Sequence, residues 1–99
     1  MKVLRFACED HYEAEKLASM TSVRDDGSIF IEAVMSIIGK EVILRLKDKS
    51  CHSVTMGDLE SLERLKMTLT DLALGRWKVV SSRSLAEVLE LTLNESSTL

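Results

Sequence analysis

The sequence predicts a small α+β domain of two layers, in which helices pack on a mixed three- to four-stranded sheet. Three observations predict it. Segments with strand and helix patterns alternate, no proline interrupts them, and glycines bracket the two longest apolar-rich stretches, residues 28–38 and 58–74. The predicted order is β-α-α-β-(β)-α-β-α, in a single domain over residues 1–94, with a frayed polar tail at 95–99. No internal repeat is evident.

The first two elements are a strand and a helix. Residues 2–8 are rich in apolar and aromatic side chains, which is typical of a strand. Asp10, followed three residues later by Glu13, forms a capping box that predicts the start of a helix. A narrow apolar stripe along this helix contains Tyr12, Ala14, Leu17 and Ala18. Residues 24–27 form a turn.

Residues 28–38 fit two kinds of element. Their apolar side chains match the spacing i, i+3, i+4, i+7, i+8 of a helix face: Phe30, Ala33, Val34, Ile37 and Ile38. The alternative is the second arm of a hairpin that turns at residues 25–27. We favour the helix.

The second half of the chain begins with the segment that has the clearest strand pattern, residues 41–47, followed by a turn at 48–50. Residues 51–55 add a short strand. Thr55 and Asp58 form a second capping box before a long helix, which ends at Gly75. Residues 77–80 form a strand. Ser84 and Glu87 then cap a predicted last helix, with an inward face of Leu85, Val88, Leu89 and Leu93.

Composition excludes several classes of protein. The chain is 45% hydrophobic and 29% charged, with a net charge of −3, which is ordinary for a globular domain and gives no general attraction to polyanions. The first ten residues lack the apolar core of a signal peptide, and no stretch is apolar enough to span a bilayer. Two cysteines without an export signal indicate reduced thiols. We therefore expect a cytoplasmic protein without membrane contact.

Two pairs of residues could bind a metal: Cys8 with His11, and Cys51 with His52. Zinc accepts thiolate and imidazole ligands, but paired zinc ligands in one segment are usually separated by two to four residues, and Cys51 and His52 are adjacent. On a strand they would point to opposite faces. We therefore expect no metal, no cofactor and no catalytic residue, and hence no enzyme.

A basic segment at residues 40–52 could contact an anionic partner through five side chains: Lys40, Arg45, Lys47, Lys49 and His52. The alternative function is therefore a nucleic-acid-binding regulator. Aromatic side chains, which stack on single-stranded bases, are absent from this segment. We expect a solvated strand face, and nucleic acid to be an unlikely partner.

Residues 28–38 are apolar almost all round, whether they form a helix or a strand. A helix or strand of a small domain usually buries only one face, so apolar surface remains for another chain. The expected partner interface consists of Ile29, Ile31, Val34, Met35 and Ile38. The sequence thus favours a small non-enzymatic protein-interaction domain, a regulator, inhibitor or adaptor, that binds a protein partner or itself as a homodimer.

Overall fold

A computed structural model describes residues 1–96 and confirms the α+β class. It contains two helices and six strands: β1 (Lys2–Ala7), α1 (His11–Met20), β2 (Ile31–Ile38), β3 (Glu41–Leu46), β4 (Cys51–Thr55), α2 (Leu59–Ala73), β5 (Trp77–Leu85) and β6 (Val88–Glu95). Two residues of the tail predicted at 95–99 are described. Glu95 is the last residue of β6, and the Ser96 amide donates to the Arg76 carbonyl at 3.1 Å. Residues 97–99 lie outside the described part of the chain.

The strands form two three-stranded sheets, with the orders β1-β6-β5 and β2-β3-β4. Every strand pair within residues 1–96 is antiparallel, so the predicted single mixed sheet is wrong. The predicted order of elements is also wrong, because two segments expected to be helices are strands that complete hairpins.

Residues 28–38 provide the first correction, since they contain β2 rather than a helix. Ile31, Val34 and Ile37 pair with Leu46, Leu44 and Val42 of β3. The partners on β3 are two residues apart, whereas those on β2 are three apart, because β2 has a register shift between each pair. Such bulges insert one extra residue into a strand. The resulting apolar spacing of three residues resembles a helix, although the backbone is extended.

The second correction concerns the helix predicted to begin at Ser84. The chain turns back at Ala86 and Glu87, so that Leu85 pairs with Val88. Ala86 has a φ of 53°, a conformation that tight hairpin turns require and that glycine or asparagine normally supplies. After this turn, leucines at alternate positions of β6 are buried: Leu89, Leu91 and Leu93. The sequence carries no ordinary turn signal here.

Both remaining helices are confirmed, with an aspartate cap on each. The Asp10 side chain accepts from the Glu13 amide at 3.0 Å, and the Asp58 side chain accepts from the Ser61 amide at 2.6 Å. Thr55 belongs to β4, so Asp58 itself caps α2. Neither helix within residues 1–96 is long and apolar enough to cross a membrane.

The order β-α-β-β occurs twice, first as β1-α1-β2-β3 and then as β4-α2-β5-β6. The first strand of each half pairs with the hairpin of the other half: β1 pairs with β6, and β4 pairs with β3. The halves meet where Cys8 and Met56 form a β-bridge. Reciprocal hydrogen bonds close it, from the Glu9 amide to the Thr55 carbonyl at 3.0 Å and from the Gly57 amide to the Ala7 carbonyl at 2.8 Å.

One hydrophobic core runs through both halves. It takes alternate residues from the strands and one face from each helix, and its fully buried members include Phe6, Leu17, Leu44, Leu65, Leu89 and Leu91. α1 packs against β5 and β6, and α2 packs against β1 and β5. The β2 strand therefore receives less cover from the helices than β5 does.

Candidate interaction surface

The apolar side chains that the structure leaves most exposed in one continuous segment lie in and beside β2. We call these residues the β2 surface: Phe30, Val34, Met35, Ile37 and Ile38, with exposed fractions of 40%, 36%, 48%, 36% and 68%. Single exposed apolar residues are normal on proteins, but contiguous apolar patches usually mark interfaces.

β2 is exposed because it is the edge strand of its sheet and pairs only with β3. Just before β2, Val23 and Ile29 form an isolated bridge, where the Arg24 amide donates to the Ser28 carbonyl at 2.7 Å. From Ile31 to Ile38, no other strand of residues 1–96 lies on this edge. No lysine, arginine or proline occurs between residues 31 and 39, although such residues commonly protect edge strands from further pairing.

Apolar side chains project from both faces of β2. Val34 and Ile37 are paired with the buried residues Leu44 and Val42, and directly paired residues project to the same face of a sheet. They therefore lie on the helix-bearing face, yet each keeps 36% of its surface exposed. Ile38 pairs with Glu41 on the opposite face.

The structure separates the five predicted interface residues into two groups. Val34, Met35 and Ile38 are exposed, whereas Ile31 is only 9% exposed and belongs to the core, and Ile29 is packed against the core. Phe30 and Ile37 are exposed residues that the sequence prediction missed. Both fit the helix template but were not among the residues expected at the interface, and their exposure follows from the edge position of β2, which has no local sequence signal.

A cleft of about 840 Å³ lies beside β2, between the end of α2 and the starts of β2 and β5. Its apolar lining includes Ile29, Ile31, Ala33, Leu69, Leu72 and Trp77. Four charged residues also line it: Asp26, Glu32, Lys47 and Lys78. The cleft thus combines an apolar wall with charged groups of both signs.

The predicted basic segment is partly neutralised. The Glu32 carboxylate accepts from Arg45 Nε at 2.9 Å and from Lys49 Nζ at 2.8 Å. The ammonium group of Lys49, followed by the Arg45 guanidinium, holds the pKa of Glu32 below its usual value. Within residues 1–96, Lys40 and Lys47 form no ion pair, and His52 Nε2 is hydrogen-bonded to Ser50 Oγ at 2.9 Å. Fewer free cations therefore remain on this strand than the sequence suggests.

The cysteine and histidine pairs occupy different environments. Cys8 is 2% exposed, and burial, together with the negative charge of Glu13, raises the pKa of its thiol to about 11. A thiol with that pKa stays protonated at neutral pH and is a poor nucleophile. Cys51 is exposed. In the described part of the chain, no three His, Cys, Asp or Glu side chains are placed to share a metal ion.

No protein-family model matches this chain, and no curated protein or solved structure shows a significant match.

Proposed function

We propose that this chain is a small non-enzymatic protein-interaction domain, a regulator, inhibitor or adaptor, that binds through the β2 surface as a homodimer. The observation that carries the proposal is an edge strand that has no lysine, arginine or proline and exposes apolar side chains on both faces. We also propose a cytoplasmic location, on the basis of one buried and one exposed cysteine without a disulfide bond.

An edge strand supports protein binding because it offers two kinds of interaction at once. Its unpaired amides and carbonyls can extend the sheet by hydrogen bonding to a strand of another chain. Its apolar side chains then lose contact with water, at roughly 25 cal/mol per Å² of apolar surface. Met35 and Ile38, which are 48% and 68% exposed, have the most surface to lose.

A second copy of the chain is the proposed partner because β2 is compatible with itself in charge. No charged residue occurs from Ala33 to Gly39, so antiparallel pairing of two β2 strands brings no like charges together in this stretch. The nearest carboxylate, Glu32, is already neutralised by Arg45 and Lys49. A two-fold symmetric dimer uses the same patch on both subunits, which is the commonest form of homo-oligomer.

The test compares Met35→Lys with Met67→Lys. Met67 lies on α2, outside the β2 surface, and is 67% exposed, so its substitution is a matched control. Light scattering coupled to gel filtration measures the solution mass. We expect Met35→Lys to weaken dimerisation at least about tenfold, because it places a charge in the interface, and Met67→Lys to leave the mass unchanged.

Circular dichroism should show the same secondary structure in both variants. Equal masses for Met35→Lys, Met67→Lys and the wild type would contradict an interface centred on β2.

A further inference from the structure

We propose that the cleft between α2, β2 and β5 binds an amphipathic carboxylate, such as a medium-chain fatty acid, with its apolar body against the cleft wall and its carboxylate at Lys47. This inference goes beyond the proposed function, since it concerns a small-molecule ligand rather than another protein chain.

The size of the cleft suits such a ligand. Its volume of about 840 Å³ lies within the range of roughly 300–1,000 Å³ that is typical of small-molecule sites. The apolar side chains that line it come from three different elements, for example Ile31 of β2, Leu69 of α2 and Trp77 of β5. An apolar chain lying between these elements would be in contact with protein on several sides.

The cleft exists because the ends of the two helices pack differently against the strands beneath them. At the end of α1, the Thr21 and Ser82 hydroxyls are hydrogen-bonded at 2.6 Å, and Ser82 Oγ donates to the Ala18 carbonyl at 3.0 Å. These bonds tie the end of α1 directly to β5. When the two helices are aligned on their capping residues Asp10 and Asp58, Leu69 occupies the position of Thr21.

Leu69 has no hydroxyl, so α2 cannot form the equivalent bond to β2. The same alignment places Lys66 at the position of Ala18. The larger side chain of lysine does not allow the end of α2 to pack as closely on β2 as the end of α1 packs on β5. The end of α2 and the start of β2 therefore line an open cleft, whereas the end of α1 is bonded to its strand.

The charges that line the cleft favour an anion. The Asp26 carboxylate already accepts from the Ser28 amide at 3.0 Å and from the Ser28 hydroxyl, and the Glu32 carboxylate is bound by Arg45 and Lys49. In contrast, neither Lys47 nor Lys78 forms an ion pair with any carboxylate of residues 1–96. Both carboxylates already accept hydrogen bonds, and the pKa of Asp26 is lowered by its bonds from Ser28 and, to a smaller extent, by the charge of Lys47, which forms no ion pair with it. The Lys47 and Lys78 ammonium groups therefore keep N–H donors that no carboxylate of residues 1–96 uses.

A carboxylate attached to an apolar chain matches both features, because its chain contacts the apolar wall and its oxygens accept from an ammonium group. Lys47 is the assigned contact because it lies beside the start of β2, where its amide donates to the Phe30 carbonyl at 2.9 Å. A purely apolar ligand would leave the ammonium without a partner.

Trp77 allows a direct test, because it is the chain's single tryptophan and lines the cleft. Decanoate is titrated into the protein while tryptophan fluorescence is recorded, and decanol serves as the uncharged comparison. We expect a saturable change with decanoate and up to about fivefold weaker binding of decanol, the size expected when a partly exposed ion pair is lost. Since both ligands are tested on the wild-type protein, this comparison does not depend on the folding of a variant.

Variants then locate the site. We expect Lys47→Gln to weaken decanoate binding about fivefold and Ala73→Phe, which fills the cleft from an exposed helix position, to abolish it. Lys40→Gln, at an exposed position outside the lining, should bind like the wild type and controls for loss of a lysine. Met35→Lys should also retain binding, so failure of the dimer and failure of the ligand site can be distinguished.

The proposal is overturned by the absence of a saturable fluorescence change up to about 10 mM decanoate, since about 0.3 kcal/mol for each non-hydrogen atom of this ligand corresponds to a dissociation constant of roughly 2 mM. It is equally overturned when folded Ala73→Phe binds with wild-type affinity, or when decanol binds as tightly as decanoate.

Discussion

Glu90 is a carboxylate held within a sheet by two arginines. Its side chain is 7% exposed, and it pairs with Arg5 at 3.0 Å and with Arg83 at 2.8 Å. The three residues occupy one row across β1, β6 and β5. Hydrogen bonding from Arg83, followed by the charges of both arginines, lowers the pKa of Glu90, so it remains ionised at neutral pH. Sequence reasoning could not find this cluster, because Arg5 is brought beside Glu90 only by the pairing of the first and last strands.

The two cysteines should differ strongly in reactivity toward iodoacetamide. At pH 8 we expect Cys51 to be alkylated readily and Cys8 at least about 100-fold more slowly, because Cys8 is buried and the pKa of its thiol is about 11. Mass spectrometry of the folded protein measures both rates, and the variant Cys51→Ser isolates the slow site.

Both thiols should react quickly in denaturant, which serves as the control. The raised pKa of Cys8 also favours the folded state below about pH 9, and that contribution to the free energy of unfolding should decline as the pH rises toward 11. Rapid alkylation of folded Cys51→Ser at pH 8 would show that Cys8 is accessible and ionised.

At the scale of elements, the success of sequence reasoning depended on local signals. Asp10 and Asp58 mark the starts of both helices, and both helices are present. β2 was misassigned because its two bulges give a strand the three-residue apolar spacing of a helix. β6 was misassigned because its hairpin turns at Ala86, whose positive φ is unusual for alanine. Neither feature is visible in local propensity, since both depend on pairing with another strand.

Gly57 is essential to the junction between the two halves because there is no room for a side chain. A Cβ at this position would lie 2.8 Å from the Cys8 carbonyl oxygen, a backbone atom that cannot move without disturbing the bridge to Met56. We therefore expect Gly57→Ala to lower the free energy of unfolding by about 1–3 kcal/mol, the usual cost of overpacking. Urea denaturation measures this change.

Glu9 provides the matched control, because its amide makes the reciprocal hydrogen bond of the same bridge while its side chain is exposed. Glu9→Ala should change the stability by less than about 0.5 kcal/mol. Equal stability of Gly57→Ala and the wild type would mean that the junction is looser than the structure indicates.

For the whole molecule, the order β-α-β-β occurs twice, but the two helices pack differently against the strands. Hydrogen bonds through Thr21 and Ser82 tie α1 to β5, whereas α2 leaves the cleft and the helix-bearing face of β2 open. The repeat was not evident in the sequence, because equivalent core positions hold different residues, such as Cys8 and Met56 or Ala14 and Leu62. The apolar excess of residues 28–38 was evident, because it requires only a count of side chains and no choice between helix and strand.

The solution mass of the wild-type chain, measured by sedimentation equilibrium over a range of concentrations, tests the central claim most directly. One chain has a mass of 11.1 kDa. We predict twice that mass in the micromolar range, with dissociation on dilution, because the β2 surface meets its copy in a second chain. A mass of 11.1 kDa at every concentration up to about 100 μM, well above the dissociation constants of specific interfaces, would contradict the homodimer.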